Sequence, residues 1–150
     1  MTEPYVTVFR SFELSDEAAR IDFDRVHGWL SNCYWSRDIP AARLRRGLEN
    51  TSLVAGAYHP DHGQCAVARV VTDFTRFAYL MDVIVDLEYR GQGLGKAIVA
   101  FMLDHPKMTD IDTWSLATED AHRLYESFGF QREPNPDRWM IRRRLQTPPI

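Results

Sequence analysis

Apolar and polar residues alternate at the start of the chain and again in its centre, with the two-residue period of β-strands. This period predicts a first strand over residues 5–10, and two strands over residues 52–59 and 64–72 that are joined by a Pro-Asp-His-Gly turn. A third apolar run, residues 77–86, follows another short polar connection. The three central strands are therefore expected to form an antiparallel meander.

Between and after these strands, apolar residues recur every three to four positions, which predicts four helices. Asp22 can cap the first helix, and Pro40 suits the first turn of the second. Pro106 ends the third helix. Thr118 can cap the fourth, which Gly129 ends.

Two further strands are predicted over residues 111–118 and 138–145. The resulting order is strand, two helices, three antiparallel strands, glycine-rich loop, helix, strand, helix, strand. It predicts a mixed-sheet domain of the α/β or α+β class, in which the third helix makes a right-handed crossover between two parallel strands. No linker or repeat divides the chain, so residues 1–150 are expected to form a single domain with a flexible tail at residues 146–150.

Composition narrows the functional classes. The net charge of −3 argues against a general nucleic-acid-binding protein. The sequence has neither the roughly 20 consecutive apolar residues that span a bilayer nor the plan of a signal peptide, which favours a cytoplasmic protein with no membrane partner. Cys33 and Cys65 lie in apolar stretches and are expected to be buried free thiols rather than a disulfide. No cluster of histidine, cysteine and acidic residues indicates a metal site.

The sequence EYRGQGLGKA, residues 88–97, places three glycines between a strand and a helix. It could be an ordinary connection or an anion-binding turn. The first turn of a helix has free N–H groups, and Gly91, Gly93 and Gly95 remove the Cβ atoms that would keep a ligand away. Arg90 and Lys96 add positive charge beside the same turn.

Two well-known phosphate motifs do not fit this loop. The nucleotide-binding phosphate loop needs a glycine where Arg90 stands and a hydroxyl residue where Ala97 stands. The dinucleotide fingerprint has the spacing G-x-G-x-x-G, whereas this loop has G-x-G-x-G.

Two motifs together resemble a known family. Residues 90–95, Arg-Gly-Gln-Gly-Leu-Gly, match the Arg/Gln-x-x-Gly-x-Gly/Ala signature of the Gcn5-related N-acetyltransferases (GNAT), and residues 121–130 resemble the A-x-x-L-Y-E-x-x-G-F element of the same superfamily. The order of elements agrees along nearly the whole chain. The resemblance implies a small, bacterial-type, single-domain member with a mostly antiparallel sheet of about six to seven strands, about four helices, and acetyl-coenzyme A as cosubstrate.

The resemblance also implies where the cosubstrate binds. The backbone of Val83, Ile84 and Val85 would pair with the pantetheine arm, with an N–H near Val83 facing the thioester oxygen. Tyr125 would be the general acid for the thiolate, unless it is only a core aromatic. Thr118 stands where the family often has an asparagine that binds pantetheine, so Thr118 either takes that role or simply caps the helix. The pyrophosphate would contact the backbone of Arg90, Gly91, Gln92, Gly93, Leu94, Gly95 and Lys96.

The general base is harder to assign from the sequence. Asp82 is the preferred candidate, with Tyr79, Glu119 and Asp120 as alternatives, although each acid can also be a cap, a turn or a solvated residue. On a regular strand Tyr79 and Asp82 point to opposite faces, so only one of the two is expected to line the site.

The acceptor is expected to bind at the first two helices, which line the substrate cleft in this family. Candidate contacts are His27, Tyr34, Trp35 and Tyr79, while Trp29 is expected to belong to the core. The preferred function is acetyl transfer from acetyl-CoA to a primary amine of a small molecule or peptide. The alternatives are an inactive CoA-binding sensor and a protein-interaction module that uses the aromatic residues. The resemblance also allows a homodimer.

Overall fold

In the computed structural model, which describes residues 3–144, six strands form one sheet in the order of their succession along the chain. Neighbouring strands are antiparallel from the first to the fifth, and the last pair is parallel. This arrangement confirms the mixed sheet and its central meander. The strands are β1 (Val6–Phe9), β2 (Phe12–Ser15), β3 (Leu53–His59), β4 (Gly63–Thr72), β5 (Phe77–Val85) and β6 (Thr113–Ser115).

Four α-helices accompany these strands in the described residues: α1 (Phe23–Ser31), α2 (Ala41–Glu49), α3 (Leu94–Asp104) and α4 (His122–Glu126). The Asp22 carboxylate accepts a hydrogen bond from the backbone N–H of Arg25 at 3.1 Å, so this residue caps α1 as predicted. Helix α3 ends two residues before Pro106, and Gly129 has a φ of +90° in the turn after α4.

The sheet separates two apolar layers. Alternate residues of β4 belong to different clusters: Ala66 and Ala68 pack with α3, whereas Val67 packs with α1 and α2. Because successive side chains of a strand point to opposite faces, α3 covers one face and the α1–α2 pair covers the other. The pattern of buried residues in β4 therefore reflects burial on both sides of the sheet.

Several predicted boundaries were wrong. The predicted first strand is followed by a second one, β2, whose mostly buried residues lack a clear alternation. Residues 138–144 form no strand, while Leu145 and the predicted tail lie outside the described residues. Strand β6 covers three of the eight positions predicted for it. Helix α4 begins at His122, because the Thr118 hydroxyl accepts a hydrogen bond from the N–H of Ala121 at 3.0 Å and holds a turn instead.

Cys33 and Cys65 are both free thiols, and Cys65 is the fully buried one. None of the helices between residues 3 and 144 has the length and apolar character needed to cross a bilayer. The same residues include no group of three potential metal ligands among histidine, cysteine, aspartate and glutamate.

Candidate active site

Strand β6 pairs along its whole length with only the first three residues of β5. Their parallel ladder runs from the pair Phe77–Thr113 to the pair Tyr79–Ser115, where β6 ends. Strand β5 continues to Val85 and remains paired with β4 on its other side. Among the described residues, the second edge of β5 after Tyr79 therefore has no strand partner, and an extended ligand could pair with its backbone there. The predicted contacts Val83, Ile84 and Val85 lie on this open part.

A β-bulge interrupts β5 at the start of the open edge. Asp82 has a φ of +55°, and the register to β4 shifts between Val67 and Arg69. A bulge adds one residue to its strand, so the side-chain alternation changes phase there. Ala78 and Val83 are an odd number of positions apart and would point to opposite faces of a regular strand. Because of the bulge, both contact the α3 side.

The change of phase places Tyr79 and Asp82 on the same face of the sheet. The buried neighbours of Tyr79, Ala78 and Leu80, point to the α3 side, so the side chain of Tyr79 points to the α1–α2 side. Asp82 contacts Trp35, which also lies on the α1–α2 side. The prediction that these two residues point to opposite faces was therefore wrong, since it assumed a regular strand.

The Asp82 carboxylate is buried and fully engaged. Its Oδ2 accepts from Nε of Arg69 at 2.6 Å, and its Oδ1 accepts from the indole N–H of Trp35 at 2.8 Å. Arg69 also donates to the hydroxyl of Thr51 at 2.9 Å. Asp82 is 8% exposed. A general base needs a free oxygen near its substrate, so these contacts favour a structural role for Asp82, which joins the α1–α2 connection to the bulge.

The glycine turn leads directly into α3. Gly91 and Gly93 have φ values of +80° and +86°, and Gly93 is the N-cap residue with no side-chain hydrogen bond to the helix. A Cβ on Gly91 would meet nothing within 4 Å, and one on Gly95 would lie 3.7 Å from Val85. A Cβ on Gly93 would lie 3.3 Å from the ring of Phe9. The first turn of α3, with its free N–H groups, begins beside Val85 at the end of the open β5 edge, which suits a bound anion. Arg90 donates from Nε to the carbonyl of Val85 at 3.0 Å.

The gap between β5 and β6 is followed along the chain by α4, which carries Tyr125. Its ring is half-buried against the α3 core and 5.9 Å from the ring of Phe130. Burial, followed by the charge of Asp120 and the nearby Tyr34, raises the pKa of Tyr125 to about 12. The phenol is therefore protonated at neutral pH and able to donate a proton.

The connection between α1 and α2 crosses above this gap. The rings of Tyr34 and Trp35 are nearly perpendicular, with centroids 5.0 Å apart, and each residue is almost half exposed. Tyr34 accepts a hydrogen bond from the N–H of Glu119 at 3.1 Å, in the loop after β6. Together with the bond from Trp35 to Asp82, this contact links β5 to the loop after β6. We call the gap between β5 and β6 below these two aromatic residues the cleft.

His27 and Trp29 do not join this cluster. Nε2 of His27 donates to the carbonyl of Ile39 at 2.8 Å, and its ring stacks on Phe23. His27 therefore binds the end of the α1–α2 connection to α1. Trp29 packs against the α1–α2 core and donates to Asp86 at 3.1 Å. The structure thus brings together Tyr34, Trp35, Asp82, Tyr125 and the open edge, and it separates His27 from them.

Comparison with protein-family models identifies residues 50–132, more than half of the chain, as an acetyltransferase (GNAT) domain. The chain belongs to the GNAT acetyltransferase family. The fold agrees: a protein assigned to the GNAT family from Xanthomonas campestris pv. campestris superposes with a TM-score of 0.83 at 36% identity, covering 88% of this chain and 92% of that one. The predicted family and fold class are therefore confirmed.

Curated relatives are longer than this GNAT chain. The chloroplastic GCN5-related N-acetyltransferase 2 of Arabidopsis thaliana is 29% identical over 76% of this chain and 52% of its own length. Histone acetyltransferase TAP1 of Glycine max is 31% identical over 67% of this chain and 48% of its own. The chain spans about half the length of these relatives.

A groove of about 480 Å³ lies away from the GNAT cleft, between the β1–β2 and β3–β4 turns. Arg20 pairs with Glu13 and lies over the ring of Tyr58, and Arg10 lies over the ring of Phe9. The gap beside β5, which has both an open strand edge and a helix N-terminus, is the better candidate for the GNAT active site.

Sequence reasoning missed Arg69 and Cys33. Arg69 is a single charge within the apolar run of β4, and such a residue at a buried position needs a partner. Cys33 is half-buried near Arg90, Asp82 and Asp120, and burial raises the pKa of its thiol above the usual value. No pattern in the sequence marks Cys33 as a neighbour of the cleft.

Proposed function

We propose that this chain is an acetyl-CoA-dependent N-acetyltransferase that acetylates a primary amine of a small molecule or a peptide. The observation that carries the proposal is the open edge of β5, which leads to the free N-terminus of α3. An extended thioester arm fits the first feature and its pyrophosphate fits the second. A fold neighbour from Clostridium acetobutylicum, 15% identical with a TM-score of 0.58, was described with acetyl-CoA.

The backbone does most of the binding in this proposal. Val83, Ile84 and Val85 would hold the pantetheine arm, and the turn from Arg90 to Lys96 would hold the pyrophosphate. Thr118 already accepts a hydrogen bond from Ala121, but its hydroxyl proton can still be donated to the arm. When bound, acetyl-CoA supplies an acyl carbon that is activated by its thioester.

Tyr125 and solvent water would carry the two proton transfers of the reaction. The neutral amine attacks the thioester carbonyl carbon, a C–N bond forms and the C–S bond breaks. Tyr125 donates its proton to the departing sulfur and regains one from solvent. The proton lost by the amine would pass to water, since Tyr34 and Trp35 beside the cleft are each almost half exposed.

Asp120 is the carboxylate that we assign to the acceptor amine. Its neighbour Glu119 donates from its N–H to Tyr34, so Asp120 lies beside the α1–α2 connection, and its charge contributes to the raised pKa of Tyr125 and of Cys33. Within residues 3–144 its carboxylate has no hydrogen-bond or ion-pair partner, unlike that of Asp82, which is held by Arg69 and Trp35. Asp120 would attract an alkylammonium to the exposed faces of the Tyr34 and Trp35 rings, and Asp82 would position Trp35 rather than act as the base.

Replacing Asp120 by asparagine tests this assignment. We expect kcat/KM for the amine to fall at least about tenfold, mainly through KM, because the variant no longer attracts the ammonium. The matched control is Glu119→Gln, which removes the same charge from the neighbouring exposed position. Equal losses in the two variants, measured by steady-state kinetics at fixed ionic strength, would contradict the assignment.

Gly95→Ala separates cosubstrate binding from folding. Its Cβ would make only ordinary contact with Val85, and alanine is the better helix former, so the free energy of unfolding should rise by about 0.5–1 kcal/mol. At the same time, we expect calorimetry to show nearly unchanged acetyl-CoA binding, since the family signature allows alanine at this position and the added methyl group contacts Val85. Loss of binding in a stabilised variant would contradict the proposed position of the pyrophosphate beside the backbone of this turn.

A sensor that binds CoA without turnover remains the second candidate, because a backbone-built site does not require catalysis. The Glycine max relative is named a histone acetyltransferase, so a peptide amine is one acceptor class to test for this chain. A cytoplasmic location stays a prediction, since one relative is named chloroplastic.

A further inference from the structure

An exposed apolar surface continues from the cleft along the first half of β5. Val71 and Tyr79 are cross-strand neighbours, and Phe77 lies two positions from Tyr79 on the same face of the sheet. These three residues, which we call the platform, are between 36% and 50% exposed. Their face also carries Asp82 and its partner Trp35, so the platform continues the side of the cleft that we assign to the acceptor. A contiguous exposed apolar surface of this kind indicates a binding site.

The platform extends from the cleft in one direction only. After Asp82, β5 leads to Val85 and the glycine turn, which we assign to acetyl-CoA, whereas before Asp82 it leads back to Phe77. At the rise of a strand, the distance from Asp82 to Phe77 is about 15 Å, the length of four to five extended residues. This is longer than a small amine. An acceptor that continues in one direction from its reacting amine fits the platform, and the N-terminus of a peptide has this form.

Helix α2 is fixed beside the platform by its last turn. Ser52, just after the helix, donates from its hydroxyl to the carbonyl of Thr72 at 3.1 Å and accepts from the N–H of Thr72 at 2.9 Å. A Cβ on Gly47 would lie 3.9 Å from the guanidinium of Arg69. The C-terminal half of α2 therefore lies over the end of β4, next to Val71.

Two arginines of α2 lie on the helix face beside Gly47. Arg43 is one turn before Gly47, and Arg46 is three positions after Arg43, so the two are neighbours on the helix surface. Both are exposed, and within residues 3–144 neither forms an ion pair. Arg45 points elsewhere, since its guanidinium lies 3.8 Å over the ring of Phe23. Two unpaired cations beside an apolar surface, in a chain with a net charge of −3, attract a partner that carries carboxylates.

We propose that the acceptor is the N-terminal segment of an acidic peptide. Its α-amine lies in the cleft beside Asp120, its next residues extend over the platform, and its carboxylates face Arg43 and Arg46. This inference rests on the proposed acetyltransferase function and specifies which amines that function uses. Peptides rich in arginine or lysine are poor acceptors in this arrangement, because the two arginines of α2 repel them.

A matched peptide series tests the charge preference. In amidated pentapeptides of the form Ala-X-X-Ala-Tyr, with glutamate, glutamine or arginine at both X positions, the N-terminus is the only amine. We expect kcat/KM for the glutamate peptide to exceed that for the glutamine peptide at least about tenfold, mainly through KM, and the arginine peptide to be the poorest. The differences should decrease as salt is added, because exposed charges are screened.

Charge-reversal variants connect this preference to α2. Arg43→Glu and Arg46→Glu should each reduce the preference for the glutamate peptide, and the double variant should prefer the arginine peptide. Arg45→Glu is the matched control, because it changes the net charge as much as either single variant but lies on the other side of the helix. It should retain the wild-type preference. Thermal unfolding of each variant checks that it is folded.

The other outcomes separate this inference from the function on which it rests. Equal kcat/KM for the three peptides, a preference for the arginine peptide, or a preference that survives the double variant would overturn the acidic acceptor. Acetylation of a simple alkylamine but of no peptide would also overturn it, and would leave the acetyltransferase function intact. Binding of acetyl-CoA with transfer to no amine at all would contradict the proposed function, and this inference with it.

Discussion

Tyr125→Phe is expected to lower kcat for acetyl transfer by about 10²-fold while leaving the affinity for acetyl-CoA nearly unchanged. The variant keeps the ring that packs against the α3 core and removes only the hydroxyl that we assign to the thiolate. Stopped-flow or steady-state release of free thiol measures the rate, and calorimetry measures the affinity. The protein would have to be tested with an amine that the wild type acetylates.

Tyr5→Phe is a suitable control for this variant. Tyr5 is also half-buried, and its ring packs on Phe101 and His105, away from the β5–β6 gap. It should therefore retain the wild-type rate. If Tyr125→Phe were as active as Tyr5→Phe, then Tyr125 would be a core aromatic and not the acid.

The pH profile provides a second check on Tyr125. Because its pKa is raised to about 12, the acid stays protonated up to about pH 10. Loss of this proton should therefore cause no decrease in rate below that pH. A descending limb between pH 7 and 9 that disappears in Tyr125→Phe would contradict the assigned environment of this residue.

Arg69→Met should cause the largest loss of stability, about 3–5 kcal/mol, because it leaves the Asp82 carboxylate buried without its cation. The side chains of Arg69 and Asp82 are only 13% and 6% exposed, so water cannot replace the lost partner without rearrangement. Chemical denaturation measures the change. Arg46→Met, at an exposed position of α2, should alter the free energy of unfolding by no more than about 0.5 kcal/mol.

A second substitution separates the charge from the packing. Adding Asp82→Asn to Arg69→Met removes the unpaired charge, and we expect the double variant to be more stable than Arg69→Met alone. If the double variant were the less stable of the two, the loss would come from the packing of the arginine side chain rather than from the ion pair.

The sequence predicted the features that depend on local chemistry. Asp22, Pro106 and Gly129 mark helix boundaries because their side chains or allowed φ angles act within a few residues. The glycine turn and the meander were also predicted correctly, since spacing alone indicates them. The family followed from two short motifs, both of which lie within the matched residues 50–132.

Features that depend on contacts distant in sequence were missed. The bulge at Asp82 comes from a register shift against β4 and from bonds to Arg69 and Trp35, 13 and 47 residues away. No periodicity in β5 reveals it. The predicted strand at residues 138–145 has suitable residues, but a strand also needs a partner, and residues 138–144 pair with none of the six strands of the described chain.

The bond between Trp35 and Asp82 has a consequence for attempts to engineer new acceptors. A designer who enlarges the cleft by randomising Trp35 would also release one of the two groups that fix the bulge, and the bulge sets the direction of the backbone that we assign to acetyl-CoA. Screens at this position would therefore select changes in donor affinity together with changes in acceptor preference. Randomising Tyr34, whose hydrogen bond goes to the opposite side of the cleft, would allow the two properties to evolve separately.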